Sequence, residues 1–92
     1  MLYARFNYPD NGWPAERGYA ERMGLKVGEK YEVEFVSMGG SYTSIYLKNI
    51  DGTFNSVLFD FETSDGTEVN IYHDDRYSPY ARCRREYYEQ LL

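Results

Sequence analysis

Apolar and polar residues alternate in several short runs along the 92-residue chain, a period of two that points to β-strands. Leu2, Ala4, Phe6 and Tyr8 alternate with Tyr3, Arg5 and Asn7 until Pro9-Asp10-Asn11-Gly12 interrupts them, which predicts a first strand. Pro14 suits the first turn of a helix, Ala15, Tyr19 and Met23 recur four apart, and Gly24 stands where such a helix would stop. Gly18 weakens it by ~1 kcal/mol relative to alanine, so packing must hold it. After Val27-Gly28-Glu29, the residues Tyr31, Val33 and Phe35 alternate with Lys30, Glu32 and Glu34, putting carboxylates opposite an apolar face.

Further strands are expected beyond this one. Met38-Gly39-Gly40 offers a hairpin turn before Tyr42 to Lys48, in which Thr43, Ile45 and Leu47 share a side. Asp51-Gly52 predicts a second turn, followed by Phe54 to Glu62 with Val57, Phe59 and Phe61 on one face; Asp65-Gly66 predicts a third, followed by Glu68 to Tyr72. These runs predict a four-stranded antiparallel meander. Ser78-Pro79 then reads as a helix start, with Tyr80, Cys83, Tyr87 and Leu91 at helical spacing. The order is β-α-β-β-β-β-α: a mainly β chain with flanking helices, of the α+β class, expected as one domain over residues 1–92. A flat sheet would leave an aromatic face in water, so the strands are expected to curl into a small antiparallel barrel.

Composition sharpens this picture at one point: 17 of the residues are aromatic, 11 of them tyrosines, which enrich surfaces as well as cores. A chain of this length has little material for an interdomain cleft. The net charge of -5 opposes a general attraction to phosphate backbones. That charge is concentrated, because residues 29–75 hold ten carboxylates against Lys30 and Lys48, while the segments on either side are net positive. Either Arg76, Arg82, Arg84 and Arg85 fold back and screen this acidic centre, or it stands exposed to a basic partner. Cys83 is the sole cysteine, so no internal disulfide forms and a reducing cytoplasm is the expected compartment. No export signal or membrane-length apolar run occurs, and membrane association is not expected.

The segment Leu25-Lys26-Val27-Gly28-Glu29-Lys30-Tyr31-Glu32-Val33 has the pattern L-x-x-G-x-x-Y-x-V. With Tyr42 to Leu47 and Phe54-Asn55-Ser56-Val57, it resembles the small SH3-like barrel proteins of phages and other bacterial mobile elements, over residues 25–62. Leu2-Tyr3-Ala4-Arg5-Phe6 does not reproduce the A-L-Y-D-Y type segment of peptide-binding SH3 domains, so recognition of proline-rich peptides does not follow. The resemblance implies an SH3-like barrel, a phage or bacterial origin and a binding role, with no catalytic residues.

Catalytic chemistry finds little purchase. His73-Asp74-Asp75 are adjacent and cannot all converge on one ion, and no second histidine exists, so neither a metal nor another cofactor is expected. Asp60 and Glu62, like Glu32 and Glu34, stand two apart on strands at roughly 6 to 7 Å, the spacing of a carboxylate pair, although solvated strand faces account for them as well. Cys83 and His73 would form a dyad only if the last helix met the preceding turn, and Cys83 falls on that helix's apolar stripe. The nucleotide and hydrolase fingerprints G-x-x-x-x-G-K-[ST], G-x-G-x-x-G and G-x-S-x-G are absent.

Two binding readings remain. The first is a non-catalytic module that meets a protein with a basic surface through an acidic, tyrosine-rich sheet face composed of Glu32, Glu34, Tyr42, Tyr46, Asp60 and Glu62. Its sharper form is an inhibitor of a host defence nuclease, by analogy with anti-CRISPR proteins whose carboxylates imitate a nucleic acid. The second is a nucleic-acid accessory protein, in which Arg82, Arg84, Arg85 and Tyr88 hold phosphates and stack bases. The sequence leaves the oligomeric state open.

Overall fold

The computed structural model describes residues 1–39, 42–74 and 76–77. Its elements are β1 (Leu2–Arg5), α1 (Pro14–Arg22), β2 (Lys30–Met38), β3 (Thr43–Leu47), β4 (Phe54–Asn55), a 3₁₀ turn (Ser56–Leu58) and β5 (Asp60–Thr63). The strands form a five-stranded antiparallel sheet in the order β4-β3-β2-β1-β5. The mainly β class, the first strand, the helix and the β2–β3 hairpin are as the alternation predicts. The helix expected from Ser78 onward lies outside the described residues.

The sheet does not close, which corrects the barrel. β4 and β5 sit at its two ends, because the 3₁₀ turn carries the chain away from β4 and β5 returns beside β1, with Ala4 opposite Phe61. The meander is therefore limited to β2, β3 and β4. The strand expected over Glu68 to Tyr72 is reduced to a single bridge between Glu62 and Glu68. Asn70 interrupts it: its side chain accepts the Tyr72 N–H at 3.1 Å and its carbonyl accepts the His73 N–H, a local turn that competes with the ladder.

Two apolar registers also differ from the alternation, for one reason. β2 pairs Val33 with Leu47 but Phe35 with Tyr46, so one extra residue is inserted there, and the core face passes from Tyr31 and Val33 to Val36 and Met38. Phe35, expected inside, is 60% exposed. The 3₁₀ turn has the same effect: Asn55 accepts the Val57 N–H at 3.2 Å and caps the turn, Leu58 is 1% exposed, and Val57, expected inside, faces solvent. Tyr8 likewise lies beyond β1 and is exposed.

The core gathers Leu2, Ala4 and Phe6, Ile45 and Leu47, Phe54, Leu58 and Phe59, Phe61, Val69 and Ile71. Rings link its parts: Phe59 lies 5.9 Å from Phe6, 6.4 Å from Phe54 and 6.1 Å from Phe61. α1 closes one side by burying Ala20 and laying Tyr19 and Met23 against the core, while Ala15, expected on this stripe, faces solvent. The Glu16 carboxylate accepts the Trp13 N–H at 3.0 Å and steadies its start. Its end is a Schellman motif: Leu25 N–H donates to Ala20 O at 3.0 Å and Gly24 N–H to Glu21 O at 3.1 Å, with Gly24 at φ +98°.

The Asp65-Gly66 turn after β5 forms as expected and carries a pH dependence. The Thr63 hydroxyl and the Thr67 N–H both donate to the Asp65 carboxylate, and the Thr63 bond first, then those from Thr67, pull its pKa down to about 2. A depressed carboxyl contributes stability above its unfolded pKa and loses it as pH falls through the folded one, here between the ordinary ~3.9 and 2. A carbon-detected titration of Asp65 should therefore show a midpoint near 2, and Thr63→Val should move it upward. A midpoint that is the same in both proteins would remove the hydroxyl from the explanation.

Candidate binding surface

The outer face of the sheet divides into two halves of different chemistry. Around β1, Tyr3 stands opposite Glu32 on one side and Glu62 on the other, and Arg5 stands between Lys30 and Asp60. Arg5 Nη2 lies 2.8 Å from Glu62 Oε1, and Lys30 Nζ lies 3.9 Å from the same oxygen and 5.0 Å from the Tyr3 ring centre. Lys48 Nζ lies 3.3 Å from Glu32, and Asn7 Nδ2 donates to Asp60 at 2.7 Å. The Asp60 carboxylate also accepts from the Tyr8 hydroxyl and holds that phenol above its usual pKa.

These contacts change the meaning of the acidic run. Glu32, Asp60, Glu62 and Glu68 share their face with Arg5, Lys30 and Lys48, four negative charges against three positive ones, so this half is a mixed-charge mosaic with little net charge. Among the described residues, Arg5, Lys30 and Lys48 screen this face and Arg76 screens Asp74, while Arg82, Arg84 and Arg85, also expected to do so, lie outside the described residues. Arg76 is held locally, by Asp74 at 2.6 Å, which lowers the Asp74 pKa. Half-exposed pairs of this kind contribute ~0–1 kcal/mol each and act mainly by cancelling the field.

The other half is aromatic. Phe35 and Tyr46 are cross-strand partners with ring centres 5.7 Å apart, meeting edge to face, and Tyr46 is 39% exposed. Ser37 and Ser44 continue this outer face, and Glu34 is exposed at the bulge with no ion pair among the described residues. The structure thus brings Tyr46 and Glu34 near each other and adds Phe35, which the alternation had assigned to the core. The sequence held a signal for it: Tyr31 and Val33 are in one phase, Val36 and Met38 in the other, as an inserted residue requires. Tyr42 stands elsewhere, lining a hollow of about 70 Å³ with Glu16, Tyr19 and Phe54 beside α1.

Beside the bulge, a groove of about 280 Å³ lies between Leu2, Val33, Val36 and Tyr77, with Phe35 at its rim. A shallower one of about 330 Å³ holds Asp60, Glu68, Tyr8 and Tyr72. His73 is exposed, and among the described residues no group of three His, Cys, Asp or Glu side chains is placed to hold a metal. Arg82, Cys83, Arg84, Arg85 and Tyr88 lie outside the described residues. No described helix is long and apolar enough to cross a membrane.

Comparison with known proteins supplies one finding. Neither the curated proteins nor the solved structures include a match to this chain. A family model described as bacteriophage T4 protein Y07B matches residues 1–83, which include all the described ones. The chain therefore belongs to the family of bacteriophage T4 protein Y07B and is a phage protein.

Proposed function

We propose that this phage accessory protein is a non-catalytic interaction module, which meets a protein partner through the aromatic half of its outer sheet face. The observation that carries the reading is the Phe35–Tyr46 pair: two large rings on paired strands, one of them 60% exposed, beside the exposed carboxylate of Glu34. Aromatic side chains anchor interfaces because they bury much area at small conformational cost, and a sheet holds them in place before a partner arrives. The neighbouring charge mosaic would then form a polar rim that sets orientation.

Net acidity alone supports the nuclease-inhibitor form of this reading. Three of the carboxylates chosen for a nucleic-acid mimic have cationic or amide partners on the same face, so a partner would meet rings and Glu34 first. Partner capture from a phage-infected lysate, compared between the native chain and Phe35→Ala/Tyr46→Ala, tests the module. The double variant should lose at least tenfold in capture while remaining folded, its stability falling by ~1–3 kcal/mol with loss of the ring pair, because neither ring belongs to the buried core. Equal capture by the two proteins would overturn the assignment. A steep loss of capture with salt, together with competition by nucleic acid, would instead favour the inhibitor form.

A further inference from the structure

β2 is shared unevenly between its neighbours. Its first residues, Lys30 to Glu32, pair with β1, and its later ones, Val33 to Met38, pair with β3. β1 begins at Leu2, so the side of β2 that faces β1 has no described partner strand beyond the bulge. The direction of the backbone groups there follows from the ladder. Gly39 N–H donates to Tyr42 O across the hairpin, and in an antiparallel strand alternate residues point their N–H and C=O to opposite sides. Val36 and Met38 therefore present theirs to the open side. Next to this edge lies the 280 Å³ groove bounded by Leu2, Val33, Val36 and Tyr77.

We propose that the open edge of β2 over Glu34 to Met38 receives one extended segment of a partner protein, added as a strand in line with β1. Strand addition takes its affinity from main-chain hydrogen bonds and its selectivity from alternate side-chain positions. A residue placed opposite Val36 directs its side chain to the inner side, over the part of the groove lined by Leu2, Val33 and Tyr77, and so is aliphatic. Its neighbours on the outer side come within reach of Glu34, whose carboxylate has no ion pair among the described residues, while Arg76 in the same groove is engaged by Asp74. On a chain of net charge -5, those neighbours are lysine or arginine. The occupant is thus a basic, alternating apolar segment, and a second copy of this acidic chain fits less well. The inference rests on the interaction-module reading and names its mode of contact.

The test uses the full chain, labelled with ¹⁵N, and a capped Val-Lys-Val-Lys-Val peptide as probe. Binding should saturate and slow hydrogen exchange at the Val36 and Met38 amides at least tenfold, these amides exchanging fast in the free protein. A peptide with Glu in place of Lys, or one N-methylated at the central valine, should bind at least tenfold more weakly. Glu34→Lys should reverse the preference between the Lys and Glu peptides. Unchanged exchange at Val36 and Met38 under saturating peptide would overturn the proposal, as would slow exchange in the free chain. Protection that grows with protein concentration would also overturn it, in favour of a second copy. If Phe35→Ala/Tyr46→Ala abolishes partner capture while the peptide leaves both amides unprotected, the module stands and the edge does not. If neither responds, both fall.

Discussion

Leu58→Ala is expected to lower the unfolding free energy by ~2–5 kcal/mol, whereas Val57→Ala, one residue away and similar in character, changes it by no more than ~0.5 kcal/mol. Leu58 is 1% exposed and faces the core beneath the 3₁₀ turn, while Val57 is 40% exposed. Truncating Leu58 removes buried methyl groups and leaves a void that the neighbouring rings fill only in part. A domain of this length has about 5–14 kcal/mol of stability in all, so the loss is a large fraction of the total. Parallel urea titrations of the two variants would measure it. The reverse order, with Val57 costly and Leu58 cheap, would restore the uninterrupted strand that the alternation predicts from Phe54 to Glu62.

The second large effect belongs to Gly52. Its φ of +92° lies where an added Cβ is strained by ~1–2 kcal/mol, and the Cβ of an alanine would stand 1.7 Å from the Tyr19 hydroxyl oxygen and 2.9 Å from its ring carbon Cζ. Tyr19 cannot yield freely, because its ring packs 5.5 Å from Phe54 and ties α1 to the sheet. Gly52→Ala should therefore cost ~2–3 kcal/mol, the sum of backbone strain and a disturbed aromatic pair. A double-mutant cycle with Tyr19→Phe separates the two: removing the hydroxyl should recover ~0.5–1 kcal/mol and leave the backbone part in place. Full recovery would mean that the φ angle contributes nothing. No recovery would mean that the close approach to the hydroxyl is harmless.

The Leu58 effect arises where local pattern and tertiary structure part company, whereas the turn at Asp51-Gly52 was legible and only the approach of Tyr19 to it was not. Alternation located β1 and β3 because their aliphatic residues fall in one phase, as Ile45 and Leu47 do, and spacing by four with Pro14 and Gly24 located the helix. It misplaced Phe35 and Val57 because apolar residues there occupy both phases: Val33, Phe35 and Val36 in β2, then Val57, Leu58 and Phe59 after β4. Only pairing decides such cases, and the inserted residue in β2 is set by its register with β3. Closure of the sheet was beyond reach for the same reason, since it depends on which strand β5 joins.

The candidate surface was legible to a similar degree. Tyr46 and Glu34 could be placed outside from their own strand, but the mixed-charge mosaic depends on contacts such as Arg5 with Glu62, which are 57 residues apart. A run of carboxylates therefore looked more acidic in sequence than it is on the folded face. Phe35 was hidden by its own hydrophobicity, which argued for the interior until the bulge turned it outward.

The place of β1 between β2 and β5 bears on how the chain is made. β1 precedes the other strands in the chain, yet one of its flanks pairs only with Asp60–Thr63, so the intervening residues are synthesised before that ladder exists. Until Asp60–Thr63 is made, one flank of β1 has no strand to pair with, so completion of the sheet and burial of Phe61 beside Ala4 depend on the same late segment.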